Sequence, residues 1–211
     1  MLTQEALLEY NMEFSADDIK IYQQYLNTIT EVLDGYFEDQ KEYICCKKGC
    51  SYCCEEGEYP YSKLEFTYLL MGFFSLPMDE QRQVILRIKK LKQDYNNRNE
   101  DEKFSHRCPF LGEDNVCMVY NYRGLICRTF GLITQYESGK YSLPFCYSLG
   151  LNYSKIYDPN TKKIDYDLVK KYGYKKMPDA HKTNLKTLMS PKMFVGEPLQ
   201  FGEIKPLIEW L

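Results

Sequence analysis

Cys46-Lys47-Lys48-Gly49-Cys50-Ser51-Tyr52-Cys53-Cys54 places four cysteines within nine residues. Four more follow at Cys108, Cys117, Cys127 and Cys146, and Cys45 is the ninth. Buried free thiols pack like small hydrophobes, which suits a lone cysteine but not four among Lys47, Lys48, Ser51 and Glu55. The odd count and the adjacent Cys53 and Cys54 weigh against disulfides. Metal coordination is the remaining reading, with Cys46, Cys50, Cys53, Cys54, Cys108, Cys117, Cys127 and Cys146 as ligands. Residues 43–61 hold too few aliphatics to fold alone. A structural metal contributes on the order of 10 kcal/mol to such a loop, against roughly 2–4 for a disulfide. Lys47, Lys48, Arg107 and Arg128 stand beside cysteines, and cations favour the thiolate that ligates metal.

With two histidines in the chain, His106 and His181, the sites must be mostly all-thiolate, which suits zinc or iron–sulfur clusters. Three features favour iron–sulfur. The Cys46-x3-Cys50-x2-Cys53 spacing, with Tyr52 before its last cysteine, is that of cluster ligation in radical S-adenosylmethionine enzymes. Cys108-Pro109 is similar to the Cys-Pro that ends a bacterial ferredoxin run. Tyr43, Tyr52, Tyr59, Phe110, Tyr120, Phe130 and Phe145 are candidates to exclude water, or simply core. Eight thiols serve two four-thiolate sites, or one site with four spare. Adjacent residues of an extended chain point opposite ways, so Cys53 and Cys54 face different metals or opposite sides of one. Arg123 and Arg128 flank Cys127. They read either as hydrogen bonding to loop carbonyls or as cofactor-binding residues that hold an anionic ligand in bidentate fashion. His106 reads as a solvated loop histidine.

The 211 residues are 44% hydrophobic, enough for the chain to bury its own core. Twenty tyrosines suit half-buried surfaces and the walls of sites. The net charge of −3 argues against nucleic acid as a partner, because neutralising phosphates needs a basic face. Residues 1–42 are acidic and residues 155–192 are lysine-rich. These read as solvated faces that attract each other, or as a docking patch for a protein partner or protein substrate. The N-terminus lacks the features of a signal peptide, and Leu69 to Leu76 is too short to span a bilayer. The expected address is cytoplasmic, away from membranes, where thiols stay reduced. Glycine spacing excludes GxGxxG and the P-loop, and neither GxSxG nor HExxH occurs.

Ser15 and Asp18 form a capping-box pattern before a helix to about residue 40, with Ile19, Tyr22, Leu26, Ile29, Leu33 and Phe37 on its apolar face. Ser62 and Glu65 open a second helix, with Leu64, Tyr68 and Met71 inward. Pro77 separates it from a third, 78–96, which buries Val84, Ile88, Leu91 and Tyr95. Phe130–Tyr136 and Tyr141–Phe145 predict a β-hairpin around Gly139. Short helices are expected near 165–172, 179–189 and 203–211. No strand–helix alternation supports a radical-enzyme barrel. The expected fold is mainly α with a small β-hairpin. It is one domain, 1–211, with helices around irregular metal-binding cysteine loops: a cysteine core at 46–146 and a Lys/Tyr-rich helical extension at 151–211.

Cys46-x3-Cys50-x2-Cys53-Cys54, Cys108-Pro109-Phe110-Leu111 and Cys117-x-Val119-Tyr120-x2-Arg123-x3-Cys127-Arg128-x-Phe130 resemble the CxxCxxCC, or YkgJ-like, cysteine-cluster family. The resemblance covers 46–146 and implies a cytoplasmic zinc- or iron-chelating domain. Flagellin lysine N-methylase contains a similar domain. If the chain is an enzyme, the resemblance therefore implies a methyltransferase or iron–sulfur oxidoreductase, with S-adenosylmethionine as a possible cofactor. A zinc-stapled interaction module is the third reading. The family usually has Arg-Pro where this chain has Arg123-Gly124, which is expected to loosen the turn before Cys127. Cys45 is an alternative to Cys46 in the first motif.

Overall fold

The computed structural model describes residues 14–99, 101, 103–136, 138–190 and 199–211. The first part of the acidic N-terminal segment, through Glu13, lies outside the described residues, as do Glu137 of the hairpin loop and Lys192. The chain is mainly α-helical. Helix α1 (Ala16–Gln40) starts on the Ser15–Asp18 capping box. Its periodic residues Ile19, Tyr22, Leu26, Ile29 and Leu33 are buried with Leu64, Tyr68, Leu125, Leu188 and Phe201. The short helix α2 (Tyr52–Glu55) and strand β1 (Pro60–Ser62) lead into helix α3 (Lys63–Phe74).

Helix α3 is apolar on nearly every side, and such a helix is buried. Leu64 and Tyr68 pack on α1, as the sequence predicts. Its other face, carrying Phe66, Leu69, Leu70 and Phe73, packs on Val84, Ile88 and Leu91 of helix α4 (Met78–Asn96) and on Phe110, Val119 and Trp210. A third cluster gathers Tyr43, Ile133, Tyr153, Ile156, Ile164 and Val169.

Three expectations change. The hairpin narrows to β2 (Thr134–Gln135) with β3 (Tyr141–Ser142). Gly131 takes φ +103°, and its carbonyl is held by the Tyr153 hydroxyl at 3.0 Å, which turns the chain before β2. The C-terminal helix shrinks to Leu207–Trp210, because Ile204–Pro206 instead pair antiparallel with β1, Tyr61 facing Lys205. The helix near 179–189 covers only Leu185–Leu188, since Thr134 bridges His181 and bonds Thr183 (Oγ1···Oγ1 2.6 Å). Strands β4 (Tyr157–Asp158) and β5 (Lys163–Ile164) pair before helix α6 (Tyr166–Lys171). The oppositely charged segments do meet. Gln40 donates to the Asp179 carbonyl, and Asp39 and Glu42 add to the rise in the Lys176 ammonium pKa, whose largest cause is the hydrogen bond to Asp179 within the lysine-rich segment.

Glu65 ties this frame to the cysteines. Its Oε2 accepts from the Ser62 amide (2.9 Å) and hydroxyl (2.8 Å), closing the capping box of α3. Its Oε1 accepts from the Leu125 amide at 2.7 Å, the first residue of helix α5 (Leu125–Thr129), which carries Cys127. Burial raises the carboxyl pKa, against the Ser62 and Leu125 hydrogen bonds and the Arg128 charge. We expect Glu65→Ala to cost about 2–4 kcal/mol, since two helix ends lose a buried acceptor. With the folded pKa above the unfolded one, the carboxyl's contribution is greatest in acid and is lost as pH rises through the folded value. The cost of Glu65→Ala should therefore shrink from acid to neutral pH in urea unfolding. A cost near zero at both pH values would show that Glu65 does not join the two helices.

Candidate metal centre

All nine cysteines are free thiols. Helix α2 decides which way two of them leave the chain. One residue of helix turns by about 100°, so Cys53 and Cys54 diverge. Burial pushes the Cys53 thiol far up, and the thiols that add to the push are Cys146, Cys46, Cys54 and Cys50. Burial raises Cys146 to about 11, with Cys46, Cys50 and, more weakly, Cys45 adding. Cys46 is raised by burial and by Cys50, against a hydrogen bond from Asn152. These relations collect Cys46, Cys50, Cys53 and Cys146. The backbone agrees, because α2 packs on the 3-10 turn Phe145–Leu149 that carries Cys146.

Cys54 belongs to a different set. Burial raises it to about 11, with Cys117 and then Cys50 adding and Arg107 and Arg123 opposing. Burial pushes Cys108 well up, with Cys117, Cys54 and Cys127 adding. Cys127 rises to about 12 through burial, Cys54 and Cys117, against a hydrogen bond from Tyr61. Cys117 is raised by burial, against the Val119 amide and Arg123. The Cys108 amide donates to the Cys54 carbonyl at 2.6 Å, and Cys108, Cys117 and Cys127 pack against the α3–α4 core. The sets adjoin at α2, where Tyr59 stands between them. Its hydroxyl donates to the Cys53 carbonyl at 2.8 Å and its ring meets Phe130 at 4.5 Å. A side chain on Gly57 would strike the Tyr59 ring at 2.2 Å, so any larger residue there would displace the end of that ring.

Each set receives one side-chain donor on sulfur. Asn152 Nδ2 lies 3.4 Å from Cys46 Sγ, while its Oδ1 accepts the Cys45 amide at 2.7 Å. Cys46, rather than Cys45, therefore turns its sulfur inward. Tyr61 Oη lies 3.2 Å from Cys127 Sγ and accepts the Gly124 amide at 3.2 Å. That amide leaves the hydroxyl proton to point at sulfur. The expected loosening at Gly124 is not seen. A proline there would have no N–H to give Tyr61, and a Cβ would meet the Tyr61 ring at 2.7 Å.

Arg128 is buried and spends its donors on the Arg123 carbonyl (3.2 Å), the Asn121 carbonyl (2.7 Å) and Thr30 (3.3 Å), the loop-holding alternative for this residue. Arg123 lies over the Tyr120 ring at 3.5 Å and donates to the Tyr120 carbonyl at 2.8 Å. Lys47 and Lys48 are not among the largest influences on the shifted thiols, and burial outweighs the cations that are, so these thiols move up rather than down. His106 is not solvated. Its ring bonds the Glu58 carboxylate and, at 2.9 Å, the Arg107 carbonyl. Of the expected shielding rings, Tyr43 and Phe110 are core, and Tyr52, Tyr120 and Phe145 are exposed.

Among the described residues no three His, Cys, Asp or Glu side chains stand close enough to form a ready-made metal site. Zn–S bonds of about 2.3 Å require sulfurs within about 3.8 Å of one another, so the gathered thiols must still draw in. Their chemistry fits a metal. Thiols pushed up by burial and by each other stay neutral, and a bound cation is what makes ionisation favourable. A family model described as "Putative zinc- or iron-chelating domain" matches residues 45–147. Residues 45–147 belong to the CxxCxxCC family. No curated protein and no solved structure matches the chain.

All nine cysteines lie inside the CxxCxxCC domain, but residues outside it complete the walls. Asn152 reaches Cys45 and Cys46, and Trp210 Nε1 donates to the Tyr61 carbonyl at 2.9 Å. Neither Asn152 nor Tyr61 stands out in the sequence, because their roles rest on contacts made across the fold. Among the described residues no helix is long and apolar enough to cross a membrane. In the metal-free, folded CxxCxxCC domain we expect iodoacetamide at pH 8 to label exposed Cys45 and Cys50 first. Cys108 and Cys127 should be labelled last, since a thiol with pKa about 12 is ionised on the order of one part in ten thousand there. Peptide mapping by mass spectrometry checks the order, and early labelling of Cys127 would contradict the packing described.

Proposed function

We propose that the CxxCxxCC domain holds two metal centres, one on Cys46, Cys50, Cys53 and Cys146 and one on Cys54, Cys108, Cys117 and Cys127. The observation that carries this reading is that Cys53 and Cys54 sit side by side on α2, which packs on the turn carrying Cys146, while the Cys54 carbonyl takes the Cys108 amide. Four thiolates close a metal's coordination, whereas a catalytic site keeps a position open. The reading is therefore of a metal-holding protein with redox, sensing or metal-handling duty. Iron–sulfur is its first form, supported by the Cys46-x3-Cys50-x2-Cys53 spacing and by the donors from Asn152 and Tyr61, since hydrogen bonds to sulfur set the potential of such clusters. A bound cluster would supply one-electron redox chemistry. This chain's residues supply the thiolates, the two sulfur-directed donors and the rings of Tyr59 and Phe130 beside them. A thiol-rich site also agrees with a reducing, cytoplasmic address.

Methylase chemistry with S-adenosylmethionine requires an iron with an open position. The company Cys146 keeps with the Cys46–Cys53 run supports that less well. A zinc-stapled interaction module is the second reading, favoured by exposed Tyr52, Tyr120 and Phe145 beside the cysteines. Anaerobic purification with metal and sulfide analysis tests the choice. We expect coloured protein with iron and acid-labile sulfide, and a lowered metal content in both Cys50→Ala and Cys127→Ala. Stoichiometric zinc without sulfide would replace iron–sulfur by the zinc reading. Unchanged metal in both variants would refute the ligand assignment.

A further inference from the structure

The two thiol sets differ in their surroundings. Cys108, Cys117 and Cys127 are built into the frame. The Cys108 amide is bonded to Cys54, Cys117 bridges Leu111, and the Met118 amide donates to the Phe110 carbonyl at 2.9 Å. Cys127 rides on α5, held by Glu65 and roofed by Tyr61, which is 3% exposed. All three are partly buried and pack against the core that contains Phe110 and Val119.

The other set has an open edge. Every residue from Cys45 to Cys50 is exposed. This turn is closed by one backbone bond, from the Cys50 amide to the Lys47 carbonyl at 2.9 Å. Gly49, at φ +86°, has nothing within 4 Å of where a side chain would be. Cys46 is exposed as a residue but turns its sulfur against Asn152 and Gly131, Cys53 is partly buried and Cys146 is buried, so Cys50 has the more open sulfur of the four. Cys45 adds an exposed thiol at this edge that neither set of four needs.

We propose that the two centres do different work: the Cys54–Cys108–Cys117–Cys127 centre holds the fold, and the Cys46–Cys50–Cys53–Cys146 centre exchanges its metal through the Cys45–Cys50 turn. This rests on the two-centre reading above. With a metal bound, Cys50 would be the thiolate to give way to an incoming ligand, and once free it would take a proton from water with no electron transferred. Cys45 is the chain's own incoming ligand, able to hold the metal while Cys50 lets go. The fold keeps its shape during this step, because the turn carries no core residue.

The test uses the full chain with the metal it carries after anaerobic purification and excess EDTA as the probe. Released metal and helical circular dichroism are followed together. Release is expected in two phases of equal amplitude, with helix signal lost only in the second. Cys50→Ser should remove the fast phase, retain half of the metal and keep its helix signal. Cys45→Ser should slow the fast phase several-fold. Two bound metals leaving in one phase, or a fast phase that survives Cys50→Ser, overturns the division of labour while leaving two centres standing. An unchanged fast rate in Cys45→Ser overturns the part given to Cys45. Fewer than two centres at the start overturns the two-centre reading itself and this inference with it.

Discussion

One buried carboxylate joins the helical frame to the cysteine loops. Glu65 caps α3 through one oxygen and α5 through the other. Helix ends leave amide donors without partners, and burying them is tolerated only when something accepts. A single side chain does this for two helices from distant parts of the sequence. The position of Cys127 is thereby referred to a helix that is buried in two core clusters. Arg128 works from the other side of α5, binding loop carbonyls and Thr30 of α1. Cys127 thus sits between two buried charged groups, one on each flank.

The thiols obey a second constraint. All are free, and burial raises the pKa of Cys46, Cys53, Cys54, Cys108, Cys117, Cys127 and Cys146, with neighbouring thiols adding to most of these shifts, so without a cation these seven favour the protonated form. Where a metal binds, protons must leave, and affinity is coupled to pH. Asn152 and Tyr61 each direct one donor at a sulfur, which favours the ionised form of that ligand. Both donors answer to residues outside 45–147: Asn152 is itself outside, and Tyr61 is held by Trp210 and Lys205.

Where the folding signal was local, it was legible. Ser15–Asp18 and Ser62–Glu65 mark two helix starts within four residues each, and both capping boxes are present. The 3.6-residue pattern of α1 and α4 marks their buried faces, and the cysteine spacing marks the CxxCxxCC domain. Where partners lie far apart in sequence, the reading stopped short. Ile204–Pro206 looks like the start of a helix until Pro60–Ser62 is beside it. Cys53 and Cys54 could not be assigned, because their directions depend on α2, a single helical turn without a side-chain cap. The lysines beside the first motif suggested acidic thiols, yet burial, invisible in composition, carries the shift the other way.

The pairing of β1 with Ile204–Pro206, strand β6, has a consequence for the order of events in synthesis. Chains are made from the N-terminus, and parts fold as they emerge. All nine cysteines precede residues 204–206. Until β6 arrives, Tyr61 has neither its strand partner nor the Trp210 indole on its carbonyl, and Cys127 has no settled roof. A thiol that is roofed in the finished protein is thus left waiting in the nascent chain. Whatever binds it has its widest opportunity before the last strand closes.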